Sequence, residues 1–117
     1  MAGQPVDLKD DNFAATVASG VTLVNFWADW CGPCRRLAPT IEALAETYRD
    51  RAIVCKVNVD AAADLARRYG IRGIPAVLVF HEGREVERLV GLQPASAYAR
   101  ALDALAEDAD AEAGTDG

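Results

Sequence analysis

The chain has 117 residues, 51% of them hydrophobic and 26% charged, which is one globular domain with enough apolar material to bury a core without disulfide staples. Five of its 18 acids lie in the closing stretch "EDADAEAGTDG" from Glu107, and the other 13 face 12 bases, so the net charge of −6 belongs mostly to the end of the chain. The near-neutral body has no basic excess to hold a phosphate backbone, which argues against nucleic-acid binding as the main function.

In chain order, "PVDL" (Pro5 to Leu8) is a short strand candidate. Asp10 or Asp11 is placed to cap a short helix carrying Phe13 and Val17, with Gly20 ending it. "VTLVNFWA" (Val21 to Ala28) is almost wholly apolar and rich in β-branched and aromatic residues, the pattern of a central strand covered on both faces. A Cys-Gly-Pro-Cys turn leads into a helix whose Leu37, Ile41, Leu44 and Tyr48 share one face, with Pro39 expected to kink it. "AIVCKVNV" (Ala52 to Val59) reads as a second buried strand and "AADLARRYG" as a short helix closed by Gly70. "AVLVF" is a third strand, Glu82 to Arg84 a hairpin turn, and "EVERLVG" its partner strand. Pro94 or Ser96 opens a last helix that turns Tyr98, Leu102 and Leu105 inward.

This order, βαβαβ then ββα, predicts an α/β fold. Parallel strands joined by crossover helices come first, then an antiparallel hairpin with a covering helix, giving a central mixed sheet flanked by helices. The domain is expected over residues 1–107. Residues 108–117, an acidic tail poor in large apolar groups, are expected to be disordered. Asp7, Lys9, Asp10 and Asp11 leave no signal-peptide apolar region near the start, and no apolar stretch reaches the roughly 20 residues of a membrane span. A cytoplasmic protein that makes no membrane contact is expected, in a compartment where thiols stay reduced.

Cys31 and Cys34 follow a buried strand and open a helix, and that context gives them their meaning. A helix N-terminus presents unpaired N–H groups and a partial positive charge, which favour a thiolate over the thiol's ordinary pKa of about 8.5. Cys31 comes first, with its sulfur expected at the exposed turn, and is the expected nucleophile. Cys34, one turn further in and more covered, is the expected resolving thiol. Pro33 fixes the first helical turn, where its missing N–H does no harm, and Gly32 gives a substrate backbone room to approach. Two alternatives need weighing. The pair could be merely small buried residues, but a Cys-x-x-Cys at a strand-to-helix junction is a specific redox signal. A zinc site would need Cys55 and His81, the only histidine, and neither stands in a knuckle spacing. Cys55 reads as a small core residue sharing a face with Ile53 and Val57, and His81 as an exposed strand end.

"FWADWCGPC", "KVNVD", "YGIRGIPAVLVF" and "GREVERLVG", in this order across about residues 5 to 106, resemble thioredoxin. The resemblance implies the thioredoxin fold and an oxidoreductase that reduces protein disulfides through Cys31 and Cys34. It would serve electron transport and cell redox homeostasis as a monomer, with no cofactor or metal of its own. NADPH would act only indirectly, through a thioredoxin reductase partner, and disulfide-containing proteins would be the substrates. The resemblance also implies a cis peptide at Ile74-Pro75, beside the redox pair. Trp30, Gly32, Pro33, Ile74, Pro75, Val90 and Gly91 would form the apolar surface that binds substrate. Trp27 and Pro39 would be structural residues near the site. A partner-holding module on the same fold, with redox activity incidental, is the alternative.

One position departs from the family. Asn25 stands where the family usually has a buried aspartate held to carry protons for the resolving cysteine, and Lys56 matches that acid's lysine partner. Asn25 hydrogen-bonds but does not titrate in the useful range, so it cannot be a general base. Either the protein is an ordinary thioredoxin with less efficient proton transfer, or it is a specialised, slow-resolving relative in which Lys56 promotes the Cys34 thiolate directly. Arg35 and Arg36, mildly unfavourable at a helix N-terminus, are a solvated face or else favour the thiolate or contact acidic partners.

Overall fold

The computed structural model describes residues 3–115, with side chains described to residue 105. Five strands form one sheet in the order β1-β3-β2-β4-β5. They are β1 (Val6–Asp7), β2 (Val21–Trp27), β3 (Ile53–Asn58), β4 (Ala76–His81) and β5 (Arg84–Val90). The helices are α1 (Phe13–Val17), α2 (Gly32–Thr47), α3 (Ala63–Arg68) and α4 (Ala95–Thr115). β1, β3 and β2 run parallel, while β4 pairs antiparallel with both β2 and β5. This is the mixed sheet that the thioredoxin resemblance implied, with β2 at its centre.

The period-two pattern of the strands sorts the core into two layers. Val24 and Phe26 of β2, Cys55 and Val57 of β3, and Leu78 and Phe80 of β4 pack on one face against Phe13 and Val17 of α1 and Leu65 of α3. Leu23, Val54, Val77 and Val79 fill the other face, under Leu37, Ile41 and Leu44 of α2 and Tyr98 and Leu102 of α4. Each fully buried Leu or Phe in these layers contributes roughly 1.5–3 kcal/mol of burial free energy. Leu105 is half-buried against the second layer, so the inward face of α4 is the one expected.

The hairpin turn falls at Glu82 and Gly83, with φ of 52° and 85°, the positive pair that matches the twist of the flanking strands. β5 is the exposed edge, and its Arg84, Glu85, Glu87 and Arg88 discourage pairing with another chain.

Two local expectations, both at α1, need correction. α1 starts after Asn12 rather than after an aspartate cap, and Asn12 Oδ1 accepts from Lys9 N–H at 2.7 Å instead of capping the helix. The helix ends at Val17, so Gly20 terminates the following turn. The backbone helix of α4 runs to Thr115. The side chains of the acidic tail lie outside the described residues.

Two buried groups make stability sensitive to alkali. Burial pushes the Cys55 thiol up to about 12. The Tyr48 hydroxyl is also pushed up to about 12, first by burial and then by Asp103, whose carboxylate accepts its hydrogen bond at 2.5 Å. The unfolded chain loses these protons earlier, from about pH 9 for the thiol, and the folded chain holds them. The stability they contribute is therefore whole below about pH 9 and is lost as pH rises through 12. Cys55 alone contributes a slope of up to about 1.4 kcal/mol per pH unit in that window. Urea midpoints should fall from pH 9 upward, and Cys55→Val should flatten the start of the fall. A midpoint unchanged between pH 9 and 11 would contradict this.

Candidate active site

The redox pair sits where β2 hands over to α2. The backbone of β2 ends at Trp27, whose carbonyl accepts from Val59 N–H at 2.9 Å, so the loop that follows leaves from the fixed end of two parallel strands. Cys31 N–H donates to the Ala28 carbonyl at 3.2 Å, which tightens the turn. Cys31 is the N-cap of α2, and its sulfur accepts from Cys34 N–H at 3.2 Å. Pro33 occupies the first turn, as expected. Cys31 and Cys34 form a disulfide with Cα atoms 5.2 Å apart, inside the ordinary range.

The expected contrast in exposure is absent. Cys31 and Cys34 are 4% and 3% exposed, because Trp27, Ala28, Val59 and Ile74 pack around both. What separates them is their surroundings. Cys31 meets the outer loop, with its sulfur 3.7 Å from the Ile74 carbonyl oxygen. Cys34 lines a cavity of about 120 Å³ on the other side, together with Asn25, Trp27, Arg35, Glu42 and Lys56.

The loop opposite Cys31 carries a cis peptide at Ile74-Pro75. Gly91 N–H donates to the Pro75 carbonyl at 2.8 Å, and this bond brings the end of β5 to that loop. Gly91 has φ of 84°, which favours glycine there, and its carbonyl accepts from the Tyr98 hydroxyl at 3.4 Å. Around the pair, Trp30 is 67% exposed and Val90 52%, with Gly32, Pro33 and Ile74 half-buried between them. Pro75 is buried and supports this surface rather than forming its face. Pro39 is exposed in the groove between α2 and the start of α4, with Thr40 and Ala99, and α2 continues past it.

Asn25 and Lys56 are register partners on β2 and β3, and both line the cavity beside Cys34. Asn25 is 4% exposed, and its Oδ1 has no hydrogen-bond partner among the described residues. Lys56 lies with its Nζ 5.6 Å from the centre of the Trp27 ring and 3.9 Å from the Asp7 carboxylate. Its acidic partner is thus on β1 at the surface, not on β2 in the core. That pair is exposed and contributes little to stability.

Sequence reasoning missed one contributor and did not foresee the bond made by another. Asp60 accepts from Trp30 Nε1 at 2.9 Å and holds the exposed indole in place. Its signal is its position just beyond the end of β3, beside the strand that leads to Trp30. Arg35 donates to the Asp29 carbonyl at 2.7 Å and braces the loop before Cys31. The zinc alternative finds no geometry: Cys55 is buried in the α1–α3 layer, and His81 pairs with Val21 at the far end of β2. His81 is half-buried there, not exposed as expected. Among the described residues no three Cys, His, Asp or Glu side chains come together to hold a metal.

A disulfide-forming pair that caps a helix, beside a cis-proline loop on this five-stranded sheet, defines a thioredoxin-type redox protein. The thioredoxin family model matches residues 4–104. Thioredoxin 2 of Chlorobaculum tepidum is 44% identical over 105 residues, covering 88% of this chain and 96% of its own. Thioredoxin of Staphylococcus aureus is 43% identical over 98 residues, covering 84% and 94%. Among solved structures, a mutant thioredoxin from Halobacterium salinarum superposes with a TM-score of 0.84 at 36% identity, over 90% of this chain and 93% of that one. Thioredoxin of Malassezia sympodialis gives 0.83 at 30% identity, over 89% and 92%. The chain belongs to the thioredoxin family, as a thioredoxin-type protein-disulfide oxidoreductase.

Proposed function

We propose that this protein reduces disulfides in other cytoplasmic proteins as a monomer, without a cofactor of its own, and is recycled by an NADPH-dependent thioredoxin reductase. The observation that carries the reading is the Cys34 N–H aimed at the Cys31 sulfur from the first turn of α2, which favours a thiolate on Cys31. That thiolate attacks one sulfur of a substrate disulfide. The substrate S–S bond breaks, and the other substrate sulfur leaves as a thiolate and takes a proton from water. Cys34 then loses its proton and attacks the Cys31 sulfur. The mixed disulfide breaks, the substrate leaves with two thiols, and the Cys31–Cys34 disulfide remains. The reductase returns two electrons and two protons to it.

Trp30, Gly32, Pro33, Ile74, Val90 and Gly91 are the surface on which the substrate chain would lie, with Pro75 beneath it. Two exposed apolar side chains flanking a buried sulfur support that role. In the resolving step Asn25 orients but does not remove the Cys34 proton, and Lys56, across the same cavity, favours the Cys34 thiolate by its charge. The proton leaves through the cavity, whose volume of about 120 Å³ has room for several waters at about 30 Å³ each.

Reduction of insulin disulfides tests the whole reading. The protein should catalyse it with dithiothreitol and with NADPH plus thioredoxin reductase. Activity with dithiothreitol alone would keep the exchange chemistry and overturn the assigned electron donor.

A further inference from the structure

The turn beside Cys31 carries charge that the exchange chemistry does not use. Arg35 and Arg36 lie in the first turns of α2, both exposed. A Cβ built on Gly32 would stand 3.9 Å from Arg35 Nη2 and 4.0 Å from Arg36 Nη1, so the two guanidiniums converge over the glycine that follows the nucleophile. The Asp29 carbonyl holds Arg35 there at 2.7 Å. A carbonyl orients the guanidinium without neutralising it.

Neither arginine pairs with a carboxylate among the described residues. Of the acids around the redox turn, Asp60 accepts from the Trp30 indole N–H and Asp29 is exposed, and neither makes an ion pair with these arginines among the described residues. Arg72, exposed on the loop that carries Ile74 to Cys31, is a third cation without a described partner. Two cations at a helix N-terminus oppose the partial positive charge there, so nothing in the helix itself accounts for them. A partner that brings negative charge to Gly32 would find donors already gathered.

Resting on the reductase reading above, we propose that Arg35 and Arg36 select substrates whose attacked cysteine is flanked by acidic residues, with an acidic segment of the substrate lying over Gly32. The partner is a disulfide-bonded protein segment rich in Asp or Glu. The arginines act on recognition, and the bond-breaking steps remain those of Cys31 and Cys34.

The test uses disulfide-linked peptides identical except for Glu, Gln or Lys on both sides of the attacked cysteine. The second-order rate of each with the reduced protein is divided by its rate with dithiothreitol, which removes the peptide's own reactivity. At low ionic strength the Glu peptide should be favoured over the Lys peptide by about five- to twentyfold, and the preference should shrink in about 0.5 M salt. The double variant R35Q/R36Q should bring the ratio close to one, and R35K/R36K should keep most of it. Equal normalised rates in the unaltered protein, or a full preference surviving in R35Q/R36Q, would overturn the inference and leave the reductase reading standing. Failure of all three peptides to be reduced would overturn both.

Discussion

Cys34→Ser is expected to stop turnover while leaving the first attack intact, so the protein accumulates as a covalent adduct with its substrate. Cys31→Ser is expected to abolish reduction and form no adduct, a loss of at least about a thousandfold, the scale seen when a covalent nucleophile is removed. The asymmetry follows from the N-terminus of α2. Only the Cys31 sulfur receives the Cys34 N–H, and it lies 3.7 Å from the carbonyl oxygen of Ile74, in the loop along which a substrate chain would run. Cys34 lines the cavity, and in the proposed mechanism it meets the substrate only through Cys31. Non-reducing electrophoresis with a single-disulfide peptide reads both outcomes. An adduct formed by Cys31→Ser at the rate of Cys34→Ser would contradict the assignment of roles.

Asn25→Asp is expected to destabilise the fold and to speed resolution. The side chain is 4% exposed, with an unpartnered Oδ1, and the nearby ammonium of Lys56 is shared with Asp7. A carboxylate there loses hydration that this partly engaged lysine only partly replaces, a cost of about 2 kcal/mol near neutral pH. The sign fixes how the cost varies. Burial holds the folded carboxyl above the unfolded value of about 3.9, so the variant matches the parent at low pH and falls behind as pH rises. Above neutral pH the new carboxylate accepts the Cys34 proton, and the mixed disulfide should break down several times faster. Urea unfolding at pH 4 and pH 8 measures the first effect, and stopped-flow decay of the mixed disulfide measures the second. Breakdown unchanged across that pH range would remove proton transfer at this position from the mechanism.

Much of the fold was legible because its strands are written in one vocabulary. β2, β3 and β4 are rich in β-branched and aromatic residues with few polar breaks, the mark of strands covered on both faces, and Glu82-Gly83 marks the hairpin. The thioredoxin resemblance paired Asn25 with Lys56, and the register of β2 on β3 sets the two side by side. The misses arise where the answer lies in three dimensions. Asn12 bonds to the backbone of Lys9, a local turn that competes with the capping expected of Asp10 or Asp11. Cys31 comes first in its motif, yet Ile74 arrives from a residue 43 positions away and covers its sulfur. Lys56 takes Asp7 because β1 pairs beside β3, an adjacency set by sheet order rather than by spacing along the chain. The convergence of Arg35 and Arg36 over Gly32 depends on side-chain direction, which spacing alone does not fix.

The most direct test of the central claim, that Cys31 attacks and Cys34 resolves, is rapid quenching of the unaltered reduced protein with a single-disulfide peptide, followed by peptide mapping of the trapped adduct. The expected result is a transient adduct on Cys31 alone, decaying as the Cys31–Cys34 disulfide appears. An adduct on Cys34, or on both cysteines in comparable amounts, would contradict it.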